Sequence, residues 1–172
     1  MDRKTIDTFV ESWGTMGMLW GVNRSIARIH ALLVATEGPL SLDEIASRLD
    51  ISRGNTSMSL RELRNWGVIR RINVSGDRRD FYESEPDVWR MFFLIFGERK
   101  RREFDPALRA VRKALRAAEA SDRGGGTARD RLEQMEDLLS TMDRVMNRFL
   151  ASEKTSRATL RFLSGTVGED TT

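Results

Sequence analysis

Residues 53–67 read RGNTSMSLRELRNWG. Thr56, Leu60 and Leu63 fall at spacings of four and three, with Gly67 next in line, which is the inward stripe of an α-helix. At about 100° per residue the opposite face holds Gly54, Ser57, Met58 and Arg61, and Arg53 and Asn55 project from the first turn. Ser52 is placed to cap the start and Gly67 to end the helix. The outward face is small, polar and cationic.

Working outward, SLDEIASRL at 41–49 opens with an S-x-x-E capping box, Ser41 and Glu44, and predicts a short helix whose apolar face is Ile45, Ala46 and Leu49. Ile26, Ile29 and Leu33 predict a helix over 23–36, stopped at Gly38-Pro39. Ile6, Phe9, Val10, Trp13, Met16 and Trp20 predict another over 5–20, weakened by Gly14, Gly17 and Gly21. On the other side, VIRRINVSGDRRDFYESE at 68–85 alternates at Ile72 and Val74 and turns at SGDR. A strand, a tip of Gly76, Asp77, Arg78 and Arg79, and a returning strand with Phe81 and Tyr82 make a hairpin. Helix, short helix, polar-faced helix and basic hairpin is the winged helix-turn-helix order. The expected fold is mainly α with a small β-hairpin wing, with a helical dimerisation region appended.

A helix that enters the major groove must bring its backbone close to the base edges. Short Ser, Thr and Asn side chains can bond phosphates or bases there, and arginine can grip guanine with two hydrogen bonds. The expected DNA-contacting set is Ser52, Arg53, Gly54, Asn55, Thr56, Ser57, Arg61 and Arg64 on the helix, with Gly76, Arg78 and Arg79 on the wing. Arg61 is the first candidate for a base contact and Asn55 the second, while Arg78 and Arg79 suit an adjacent minor groove. Although the whole chain carries only +3, from 29 basic and 26 acidic residues, the window 53–79 holds seven arginines against Glu62 and Asp77. Each arginine taken singly also fits an ordinary solvated surface.

The run from Arg28 to Arg90, with SRGNTSMSLRELRNWGVIRR and then GDRRDFYE at its centre, resembles the GbsR branch of the MarR-type bacterial transcriptional regulators. The likeness covers the winged-helix core closely and most of the chain loosely. It implies a homodimer on a palindromic double-stranded DNA operator, commonly acting as a repressor. It also implies, for some members, a small-molecule effector such as a quaternary ammonium compound sensed in an aromatic pocket.

The second half supplies two heptad-like seams: Phe104, Leu108, Val111, Leu115 and Ala118, then Leu132, Met135, Leu139, Met142, Met146 and Phe149. SDRGGGTARD at 121–130 is read as the breaker between them, and Asp105-Pro106 as a kink or a fresh helix start. Leu138 and Val145 lie beside the seam, so the hairpin has more apolar surface than it can bury alone. The expected organisation is an N-terminal helix with a dimer contact at 1–22, the winged helix-turn-helix at 23–85, a helical hairpin for dimerisation at 86–165 and a disordered tail at 166–172. A monomeric bundle is the competing reading.

Other features bound the function. With no cysteine and one histidine in 172 residues, disulfides and Cys/His metal sites are excluded, and neither a metal nor a cofactor is implied. No nucleophile-base pair or phosphate-cradling loop can be assembled, which argues against an enzyme. VWRMFFLIF at 88–96 is too short to span a bilayer and the N-terminus lacks a signal-peptide pattern, so the expected location is cytoplasmic, with no membrane partner. GERKRRE at 97–103 reads as a solvated helix face, and His30 as a half-buried, satisfied histidine. The rings of Trp13, Trp20, Trp66, Tyr82, Trp89, Phe92 and Phe96 suit core and dimer packing, or a cage for an ammonium cation. Two alternatives to a sequence-specific regulator stay open: a winged helix that binds protein rather than DNA, and a nonspecific architectural DNA binder.

Overall fold

The structure is a computed structural model that describes residues 1–120 and 126–165. Most of the expected breaker, 121–125, and the expected tail, 166–172, lie outside the described residues. The chain divides into two compact units, residues 1–94 and the residues from 95 onward.

The first unit is built on α1 (Arg3–Leu19), α2 (Arg24–Ala35), α3 (Leu42–Leu49) and α4 (Arg53–Asn65), with strands β1 (Leu40–Ser41), β2 (Ile69–Asn73) and β3 (Asp80–Ser84). Two of the three glycines expected to weaken α1 serve its packing, since Gly14 and Gly17 are buried against α2, and the third, Gly21, lies past the end of the helix at φ +75°. A Cβ on Gly17 would sit 2.5 Å from that of Ala27, and one on Gly14 2.7 Å from Cγ of Arg28. α2 is buried through Ala27 and the run from Ile29 to Leu33, far more than its Ile26, Ile29, Leu33 stripe implied. His30 is accordingly 3% exposed rather than half-buried, and its Nε2 has no hydrogen-bond partner among the described residues. Burial alone holds its pKa down to about 4.

The capping box forms as its spacing predicts. Ser41 N–H and Oγ donate to Glu44 Oε2 at 2.7 and 2.6 Å, and Glu44 N–H donates back to Ser41 Oγ at 3.4 Å. Those bonds, with the Ser41 hydroxyl first, hold the Glu44 carboxyl below its ordinary range. α3 buries Ile45, Ala46 and Leu49 and ends in a left-handed Asp50. α4 begins at its Ser52 cap, buries Thr56, Ser59, Leu60 and Leu63, and is followed by Gly67 at φ +77°. The hairpin pairs Ile69 with Ser84 and Asn73 with Asp80. Its third strand was not legible in the sequence: β1 is two residues long and pairs Leu40 with Tyr82 and Ser41 with Phe81, giving the order β1-β3-β2.

α5 (Val88–Arg99), capped by Asp87 through the N–H groups of Trp89 and Arg90, begins in the first unit and ends in the second. A π turn (Lys100–Phe104) and α6 (Asp105–Ala120) follow directly. Pro106 has no N–H and its ring would crowd the carbonyl four residues back. The wider turn, closed by Asp105 N–H on Lys100 C=O, absorbs that conflict. Lys100 Nζ lies 2.6 Å from Asp105 and 2.7 Å from Asp143; burial works against its charge, but these two carboxylates outweigh it and raise its pKa.

α7 (Thr127–Leu150) packs along α6, and a helix the sequence reading did not anticipate, α8 (Glu153–Leu163), follows its Ser152 cap. The seam is partly redistributed. Leu108 is buried and Leu132, Leu139, Met146 and Phe149 are half-buried, with Phe149 edge-on to Phe96 at 5.5 Å between centroids. Met135 and Met142, expected within it, instead stand exposed beside Leu138 and Val145, because Glu136, Ser140 and Asp143 occupy the inward line. Ser140 and Arg112 both bond Glu136 there, at 2.6 and 2.8 Å.

Candidate nucleic-acid interface

The outermost line of α4 is Gly54, Met58, Arg61 and Asn65, at spacings of four, three and four, all exposed. Arg53 and Arg64 flank it, also exposed, and Ser57 is half-buried at its edge. A Cβ on Gly54 would meet nothing within 4 Å, so no packing inside the protein calls for a glycine there. Ser52 is exposed, but its hydroxyl is engaged as the cap, accepting from Asn55 N–H at 3.2 Å.

Two expected contacts turn inward. Thr56 has no accessible surface, and its hydroxyl donates to the Ser52 carbonyl at 3.0 Å. The expectation that it faces DNA is corrected: it lies on the same stripe as Leu60 and Leu63. Asn55 is half-buried rather than projecting, because its Nδ2 donates to Ser25 Oγ on α2 at 2.9 Å while its Oδ1 accepts from Ser59 at 3.4 Å.

The seven arginines of the window divide by partner. Arg53 pairs with Asp43, Arg70 with Glu83, Arg71 with Asp80 and Arg79 with Asp77. Arg61, Arg64 and Arg78 form no ion pair among the described residues. The local positive field is therefore concentrated on the outward face of α4 and the tip of the wing. The four pairs are partly exposed, of the surface kind that contributes little to stability, so a phosphate can take the place of the carboxylate at little cost.

At the wing, Gly76 adopts φ +86° and Asp77 N–H closes the turn on the Val74 carbonyl at 3.1 Å. Arg79 is held in place: its Nε and Nη2 reach Asp77 at 3.0 and 2.6 Å, its Nη1 lies 3.4 Å from Ser41 Oγ, and its guanidinium sits 5.1 Å from the Phe81 ring centre. The bonds to Asp77 raise the Arg79 pKa and lower that of Asp77. Arg78 beside it is exposed and unpaired among the described residues.

The seven rings proposed for an ammonium cage divide between the two units. Phe96 lies in the second unit and the other six in the first. Tyr82 is buried in β3, Trp66 donates to Glu62 at 3.3 Å, and Trp13 and Trp89 are half-buried. Trp20 and Phe92 are 52% and 44% exposed. None lines either of two open cavities in the first unit. One, about 610 Å³, lies among Arg3, Asp7, Asp43, Glu44 and Arg48; the other, about 240 Å³, among Val34, Glu83, Glu85, Val88 and Met91. No helix of the described residues is long and apolar enough to cross a membrane.

A capped three-helix core, a polar third helix with Arg61 on its outward line and Arg64 beside it, and a three-stranded wing define the class of winged-helix regulators. The comparisons agree. Residues 20–80 match the MarR family model. The chain is 31% identical over 144 residues, 81% of each chain, to the HTH-type transcriptional regulator MmpR5 of Mycobacterium tuberculosis. The HTH-type transcriptional repressor GbsR of Bacillus subtilis is 22% identical over 63% of this chain and 59% of its own. A solved structure described as a transcriptional regulator superimposes with a TM-score of 0.66 at 30% identity, covering 86% of this chain and 96% of that one. The chain belongs to the MarR family.

Proposed function

We propose that this MarR-family regulator represses transcription as a homodimer, with α4 of each protomer in a major groove and the β2–β3 wing in the flanking minor groove. The observation that carries the reading is the open space above Gly54 beside Arg61 and Arg64 on the outward side of α4, which, like Arg78 at the wing tip, form no ion pair among the described residues. Arg61 is assigned to a guanine edge, Arg53 and Arg64 to phosphates, and Arg78 with the pre-aimed Arg79 to the minor groove. Palindromic half-sites about 34 Å apart, one helical turn, would match a two-fold dimer.

The dimer is supported by α7. Met135, Leu138, Met142 and Val145 recur at spacings of three, four and three and are 49%, 59%, 45% and 63% exposed. That is a second heptad-like stripe, flanking the one packed on α6, and a second copy of this chain would cover it. The likeness to GbsR supports placement near that branch.

The test is fluorescence anisotropy with DNA from upstream of the gene against scrambled DNA, titrated over salt, for the wild type and Arg61→Glu. The reading expects preference for the upstream fragment that persists as salt rises, lost in the variant with the dimer intact. Equal binding of both fragments that collapses with salt would favour an architectural DNA binder. No binding to that fragment or to neighbouring promoters would favour a protein partner.

A further inference from the structure

Met58 occupies the middle of the outward line of α4, between Gly54 and Arg61, and is 66% exposed. Among the described residues from 35 to 87 it is the one large apolar side chain left exposed; Leu60 and Leu63 on the same helix are at 1% and 0%. An isolated exposed methionine is unremarkable on a random surface. Its setting is what carries information, since every other side chain on that line is absent, cationic or an amide.

The major groove presents one apolar group, the C5 methyl of thymine, and otherwise hydrogen-bond donors and acceptors. A methionine is suited to it: unbranched, with three rotatable bonds and a polarizable sulfur that adapts its packing to the surface it meets. Neighbours three apart on a helix have Cβ atoms about 5–6 Å from one another. Base pairs stack about 3.4 Å apart. A methyl contacted by Met58 therefore falls one or two base pairs from a guanine contacted by Arg61.

We propose that Met58 is a specificity-determining residue that packs on the C5 methyl of a thymine one or two base pairs from the guanine read by Arg61. The inference rests on α4 being the recognition helix. It makes the half-site preference part apolar: cytosine in place of that thymine would lose the methyl and leave the thioether against a polar edge.

The experiment selects duplexes from a randomised library with the full-length wild type, then replaces each thymine of the enriched site singly by deoxyuridine, which removes only the methyl. Binding is compared for wild type, Met58→Ala and Met58→Gln. The expected result is one thymine per half-site at which deoxyuridine weakens wild-type binding about fourfold, the factor for one methyl-sized group, and leaves both variants unchanged. Because Met58 is exposed, both variants should keep the wild-type melting profile. An enriched operator with no such position, or with the same deoxyuridine profile in all three proteins, overturns the role of Met58 and leaves α4 as the reader. A library in which nothing is enriched overturns the reading of α4 itself, and the inference with it.

Discussion

The side-chain amide of Asn55 donates to Ser25 Oγ across 2.9 Å, tying the first turn of α4 to the first turn of α2. An asparagine beside the outward line of α4 is thereby turned into a brace between α4 and α2.

Asn55→Ala should consequently cost about 1 kcal/mol of stability, the worth of a typical intramolecular hydrogen bond. Combined with Ser25→Ala, the loss should be less than additive, since each substitution removes the same bond. The base preference of the selected operator should stay as in the wild type. Urea denaturation of the four proteins and one operator selection check both points; an altered preference at a single base would show that Asn55 reads DNA directly.

Gly54→Ala should separate stability from binding. Glycine in a helix is about 1 kcal/mol worse than alanine, and the added methyl meets no atom of the protein, so the variant should melt higher. In the groove the same methyl would stand between backbone and base edge, and operator affinity should fall. A variant more stable and equally tight would mean that the helix backbone stays away from the DNA.

Acid stability should follow His30. The folded protein keeps it neutral down to about pH 4, whereas an unfolded chain protonates it near 6.5. Between those values the unfolded state binds more protons, so stability is lost as pH falls through that window, by about 3 kcal/mol at its end. It is the sole histidine of the sequence. Chemical denaturation from pH 7 to 5 should show a slope that His30→Phe flattens; an unchanged slope would place its origin in the carboxylates.

Leu138→Glu with Val145→Glu should dissociate the proposed dimer without unfolding the hairpin, because both side chains stand in solvent in the single chain. Sedimentation velocity should report a monomer and circular dichroism an unchanged helix content. A dimer that survives both charges would move the interface to another surface.

The winged-helix core was legible because its signals are local. The capping box, the Ser52 cap and the inward stripe of α4 each depend on residues within a few positions of one another, and each forms as read. What escaped depended on distant partners. β1 exists only because Leu40 and Ser41 meet Tyr82 and Phe81, and Asn55 is withdrawn from the surface only because Ser25 lies thirty positions away in sequence. On α7 two apolar lines share one helix, and periodicity alone could not tell which faced α6 until Glu136, Ser140 and Arg112 were seen bonded together.

Ser41 is the rivet of the winged-helix unit. Its backbone belongs to the sheet, its side chain starts α3, and its oxygen touches the guanidinium that steadies the wing, all with 1% of its surface accessible. On the proposed reading, the major-groove helix and the minor-groove wing are thus jaws of one stiff calliper. Within a half-site, the distance between the bases each jaw probes is fixed at folding. Tuning of the bound complex then falls to the gap between two callipers, and operators that differ by a single inserted base pair at their centre should be told apart more sharply than operators that differ at their outer ends.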